Sequence, residues 1–164
     1  MRLLDVVTTD TMDIGDPTVR LMFAQIESAY KSLVDLLEGM TVEELDYRGP
    51  DGSLNSIAML VHHLADIDVW YRFAIVGEQV PEELTAKYYA EDADGRIQQV
   101  SGKTVQDLRD HYFPVHLMLK EAVKTMTASD LERRVQLRPD LEITVRWALW
   151  HLAEHSMMHQ GQMR

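Results

Sequence analysis

The sequence contains no cysteine. That excludes disulfide staples, thiolate metal ligands and a cysteine nucleophile together, and it fits a reducing cytoplasm. Long apolar runs are missing too. No stretch approaches the roughly 20 residues of a membrane-spanning helix, and the start, MRLLDVVTTDTMD, lacks the apolar centre of a secretory signal. A cytoplasmic protein without a membrane partner is expected. Basic residues are the minority, 16 Lys and Arg against 27 Asp and Glu, for a net charge of -11. A surface this acidic repels phosphate backbones, and the best basic cluster, Arg133-Arg134 with Arg138, is too short to override it. Nucleic acid is not an expected partner. Phenylalanine is scarce, 3 against 10 Met, which suits helical packing with adaptable filler better than a β-sandwich. There is no alternating β-branched run, so strands are not expected. Repeats and low-complexity tracts are also absent.

What is present is helical periodicity. At 164 residues the chain is long enough to bury a core, and residues 1–164 read as a single domain. A first helix follows the Asp16-Pro17 start signal, with Val19, Met22, Phe23, Ile26, Tyr30, Leu33, Leu37 and Met40 along its apolar stripe. A second begins near Ser53-Leu54-Asn55 and aligns Ser56, Leu60, His63, Ile67, Trp70 and Ala74. A third runs from about Lys103 to Met126, with Pro114 inside it as a kink signal. The fourth begins near Glu142-Ile143-Thr144 and continues to the end. Thr41-Val42-Glu43-Glu44 has a capping-box pattern for one short turn, and residues 77–102 form the longest connection, either a rim over a pocket or a solvated crossover. The expected fold is all-α: a four-helix bundle with a long crossover between helices two and three.

The chemistry concentrates in HLAEHSMMHQGQ, where His151, His155 and His159 follow one another at intervals of four. Positions eight apart are separated by about 12 Å along a helix axis. One ion with bonds of about 2.0–2.1 Å therefore takes two of the three. His155 and His159 lie on the inward stripe with Ala148, Leu152 and Gln162, which favours them over His151. Spacing by itself does not separate chelation from two hydrogen-bonded histidines; two imidazoles on an apolar face do need a partner or a metal. A third ligand must come from another helix. His63 shares its stripe with Leu60, Ile67 and Trp70, whereas the adjacent His62 points about 100° away. His111 follows Asp107 by one turn and reads as a solvated pair; His116 beside Val115 stays open. On periodicity His63 is the best third ligand.

His63-Leu64-Ala65-Asp66 followed by Trp70, together with the ending His155-x-x-x-His159-x-Gly161-Gln162, resembles the DinB-like or YfiT-like four-helix-bundle family. The resemblance spans nearly the whole chain. It implies one divalent metal, usually zinc or nickel, held by His63, His155 and His159. One departure stands out: the chain stops at Arg164, where relatives often run on, so a pocket wall built by such a tail would be missing or supplied by a second subunit.

Three neutral imidazoles leave a divalent ion with open positions, able to acidify water or to hold a thiol as thiolate. Since members of the resembled family include S-transferases and an isomerase that use low-molecular-weight thiols, the first expectation is a metal-dependent thiol S-transferase or a related detoxification activity. The alternatives are a metal-dependent hydrolase and a non-catalytic metal-binding stress-response protein. No general base stands out. Asp66, one turn from His63, could accept its ring proton; Glu154 points away from His155; Gln162 could cap the site; Arg146 and Tyr71 could meet an anionic substrate. Trp147, Trp150 and Met157 on the outer side of helix four either complete the core or support a homodimer.

Overall fold

The computed structural model describes residues 8–138 and 140–164, so the first seven residues of the N-terminal stretch MRLLDVVTTDTMD lie outside the described residues. Four long helices make the bundle: α1 (Pro17–Leu37), α3 (Ile57–Val76), α5 (Val105–Val123) and α6 (Val145–Met163). Two short helices, α2 (Val42–Asp46) and α4 (Glu82–Tyr88), sit in the connections. Packing runs in a ring: α1 against α6, α6 against α3, α3 against α5, and α5 back against α1.

The helix starts follow local chemistry. Asp16 accepts from the backbone N–H of Thr18 and Val19 at 2.8 and 3.2 Å, with Pro17 opening α1. Thr41 with Glu44 and Thr104 with Asp107 form full capping boxes. Ser56 caps α3 through the Met59 N–H at 3.2 Å, and Gly77 ends it in the left-handed conformation, φ 79°. The α5 helix continues through Pro114.

Two linked apolar clusters fill the ring. One gathers Phe23, Tyr71, Ile75, Leu119, Leu131 and Leu149; the other gathers Leu33, Leu37, Leu45, Leu64, Tyr88 and Leu108. Each fully buried leucine or phenylalanine contributes about 2–3 kcal/mol from burial. Buried Gln160 ties α6 to α1, its Nε2 donating to the Ala29 carbonyl at 2.8 Å.

Two expectations need correcting. Strands do occur: β1 (Arg134–Arg138) and β2 (Leu141–Thr144) form an antiparallel hairpin, with Val135 opposite Ile143. Helix four accordingly starts later, at Val145. The reason lies in Ile143 and Thr144, whose branched Cβ suits a strand, while the Thr144 hydroxyl accepts from the Trp147 N–H at 3.1 Å and caps α6 instead of entering it. Val135 then packs into the core cluster and anchors the ribbon.

Candidate metal centre

The α3 and α6 helices bring three imidazoles together. His155 and His159, one turn apart on α6, are buried at 8% and 7% exposure; His63 of α3 is half-buried opposite them. The His63 ring stands 5.2 Å from each of the other two, centroid to centroid. One ligand nitrogen from each residue lies within 4.8 Å of the others, a group that could hold a metal ion. Among the described residues it is the one such group of three.

Nitrogen chemistry fits a divalent ion. The Nε2 atoms of His155 and His159 are 3.0 Å apart. Adjacent ligands on bonds of about 2.0–2.1 Å are separated by about 2.9–3.4 Å between octahedral and tetrahedral angles. The His159 Nδ1 donates to Gln162 Oε1 at 2.8 Å, which leaves the His159 Nε2 lone pair facing the cluster. Burial pushes His63 down to about 4 and His155 down to about 3, and the neighbouring histidines add to both shifts. Both rings are therefore neutral at pH 7, as ligation requires. The Nδ1 atoms of His63 and His155 are buried without a hydrogen-bond partner.

The remaining histidines have other partners, although the His151 ring lies 5.3 Å from that of His155. His151 stacks on Trp147, with centroids 4.7 Å apart, and its Nδ1 lies 3.3 Å from Glu154 Oε2. Glu154 thus serves His151 and not the cluster. His116 is buried, stacked on Tyr30 and bonded through Nε2 to Glu27 Oε2 at 2.7 Å. His62 stacks on His111, centroids 4.5 Å apart. The expected Asp107–His111 pair does not form, because the Asp107 carboxylate is committed to capping Thr104. Asp66 does not serve His63 either; it accepts from the Ala90 N–H at 3.1 Å and pins the crossover to α3. Arg146 is engaged by Glu132.

A cavity of about 800 Å³ approaches the cluster through His151, although none of the three clustered histidines lines it. His151 lines it, with its ring 5.3 Å from that of His155. Trp70, Tyr71 and Trp147 supply aromatic wall, Leu84 and Tyr89 come from the crossover, and Leu137 and Leu141 from the hairpin. The 77–102 connection is therefore a pocket rim. Sequence reasoning missed the hairpin's share of this wall and a buried pair nearby, Tyr112 donating to Asp68 Oδ2 at 2.6 Å. An acid between Ile67 and Val69 in an apolar stretch of α3 was the available signal for that pair.

Comparison with known proteins gives the family. An uncharacterized Bacillus subtilis (strain 168) protein, YkkA, is 29% identical over 149 residues, covering 90% of this chain and 85% of its own length. The family model described as mycothiol-S-transferase matches residues 21–164, within the DinB/YfiT-like superfamily. With four helices, a histidine from α3 and a histidine pair from α6, the chain belongs to the mycothiol-S-transferase family.

Proposed function

We propose that the protein is a divalent-metal-dependent S-transferase that joins a low-molecular-weight thiol to an electrophile, as part of detoxification. The observation that carries this reading is three converging imidazoles, His63 and His155 among them neutral at pH 7, with a large aromatic cavity reaching their neighbour His151. His63, His155 and His159 would hold the ion, zinc or nickel by the preference of imidazole donors. When bound, such an ion supplies Lewis acidity that lowers the pKa of a thiol or water at its open positions.

The chain's own residues do the rest. Gln162 fixes the His159 ring through Nδ1, so its other nitrogen keeps one orientation. Trp70, Trp147, Leu137 and Leu141 present apolar surface suited to the carbon skeleton of an electrophile. In the transfer a sulfur–carbon bond forms, the leaving group departs to solvent with the electron pair of its bond to carbon, and the thiol proton passes to water. A cavity of about 800 Å³ is large enough for both reactants side by side.

We further place the activity in the cytoplasm, carried by one domain over residues 1–164 and by a homodimer. Among the described residues no helix is long and apolar enough to cross a membrane. Trp150 and Met157 are 47% and 46% exposed on α6, available to a second copy rather than spent on the core. Light scattering of the purified protein tests the dimer.

The decisive experiment combines elemental analysis with a conjugation assay. The protein as purified is expected to carry one zinc or nickel per chain, lost in His155→Ala, and to conjugate monochlorobimane only when a thiol such as mycothiol or bacillithiol is added. A metal-free wild type, or a rate indifferent to added thiol, overturns the proposal.

A further inference from the structure

Two like charges stand together in the aromatic cavity. Asp66 of α3 and Glu91 of the 77–102 crossover both line it, and both are half-buried. The crossover brings them together. Asp66 accepts from the Ala90 N–H at 3.1 Å, and Glu91 is the next residue along. Glu91 is held by its backbone, through an antiparallel bridge to Ile97 and a bond from Gln98 Nε2 to its carbonyl at 2.5 Å. Burial raises the Asp66 pKa, against a lowering by the Ala90 N–H, and the Glu91 charge raises it further.

Nothing nearby balances the pair. Among the described residues no Lys or Arg lines the cavity, and neither Asp66 nor Glu91 is in an ion pair. The one imidazole on the lining, His151, faces a third carboxylate, Glu154. A chain of net charge -11 has acids to spare, but on the open surface water solvates them at little cost. Two half-buried carboxylates against an aromatic wall lose part of that hydration and repel each other. A cation between them relieves both costs. The wall selects an organic one. Trp70 and Tyr71 meet edge to face, with centroids 4.9 Å apart and planes 88° apart, and Tyr89 and Trp147 border the same space. Aromatic faces attract ammonium and guanidinium groups within about 6 Å of the ring centroid. An inorganic ion does not suit the place, since among the described residues Asp66 and Glu91 join no third ligand within the reach of one ion.

We propose that this cavity takes an organic cation, an apolar skeleton whose ammonium or guanidinium group is held between Asp66 and Glu91 against the aromatic wall. That this molecule is the electrophile of the transfer rests on the transferase reading; that it binds does not. Titration of tryptophan fluorescence in the full chain at pH 8 and low salt tests it. The probes are benzyltrimethylammonium, benzyl alcohol as its uncharged counterpart and phenylacetate as an anion. The cation is expected to bind saturably with a Kd of about 1 mM or tighter, at least about tenfold better than either of the others. Combining Asp66→Asn with Glu91→Gln should remove that preference, while binding of benzyl alcohol stays within about twofold. Asparagine keeps an acceptor for the Ala90 N–H. Glu91→Gln alone leaves the crossover's backbone bonds in place and should still weaken the cation about threefold. The control pair Glu38→Gln and Glu43→Gln, exposed and outside the lining, should change nothing. Equal binding of the three probes, or equal weakening by both pairs, overturns the proposal. Cation binding in a protein that conjugates no electrophile overturns only the transferase reading, and conjugation without cation binding overturns only this one.

Discussion

Replacing Asp68 by asparagine should change how stability depends on pH, by an amount the structure sets. Asp68 is 2% exposed, and its one hydrogen-bond partner among the described residues is the Tyr112 hydroxyl. Burial raises its pKa from 3.8 to about 7, against a smaller lowering by that hydrogen bond. The fold therefore holds the Asp68 proton more tightly than the unfolded chain does. Stability from this group is complete below pH 3.8 and is lost as pH rises to about 7. At 1.36 kcal/mol per pKa unit the whole loss is about 4 kcal/mol, of which about 3 kcal/mol falls between pH 5 and pH 8. His63 and His155 act in the opposite direction, because their depressed pKa values make the fold more stable as pH rises through 4 to 6.5. They are common to wild type and Asp68→Asn, so the difference between the two proteins isolates Asp68. Asparagine keeps an acceptor for Tyr112 and never ionises. Urea unfolding at pH 5 and pH 8 should show the variant gaining about 3 kcal/mol on wild type across that interval. A difference that stays constant with pH would refute the reasoning, since it would mean that Asp68 titrates alike in folded and unfolded chains.

Other outcomes follow from the same structure. Chelation of the metal should lower the melting temperature in calorimetry, since an ion at one hundred times its Kd adds about 2.7 kcal/mol; an unchanged melting temperature with His155→Ala and wild type alike would count against the site. Metal retention in equilibrium dialysis should be lost by about pH 4 and below, where His63 and His155 pick up protons near 4 and 3. Gln160→Leu should cost about 1–3 kcal/mol in urea unfolding, because the Ala29 carbonyl loses its buried donor. Trp147→Ala should raise KM for apolar electrophiles with kcat little changed, if the indole serves as wall and not as a participant.

Much of this arrangement was legible in the residues, and the gaps have physical causes. The strong periods of helices one to four survive because each helix buries one stripe, and the caps at Asp16, Thr41 and Thr104 are local chemistry that a sequence carries openly. His155 and His159 could be chosen over His151 from the wheel alone, and the structure brings His63 to them. The hairpin was hidden because its two strands are short and the second runs straight into a helix, so Ile143 and Thr144 read as a helical start. Partner choices were hidden for another reason. Asp66 and Asp107 each had a histidine at a plausible interval and each took a backbone N–H instead, a competition decided by loops whose path the sequence does not encode locally. The Asp68–Tyr112 pair spans 44 residues and two helices, beyond what periodicity can join.

The α3 helix is a partition between two rooms. One room holds His63 facing His155 and His159; the other holds His62 on its imidazole stack, and a single peptide bond links the two tenants. A helix is stiff over one residue, so the wall cannot turn for one occupant and stay still for the other. Neighbouring residues on one helix keep about 100° between them, so a single turn of α3 turns His63 towards α6 and His62 towards α5.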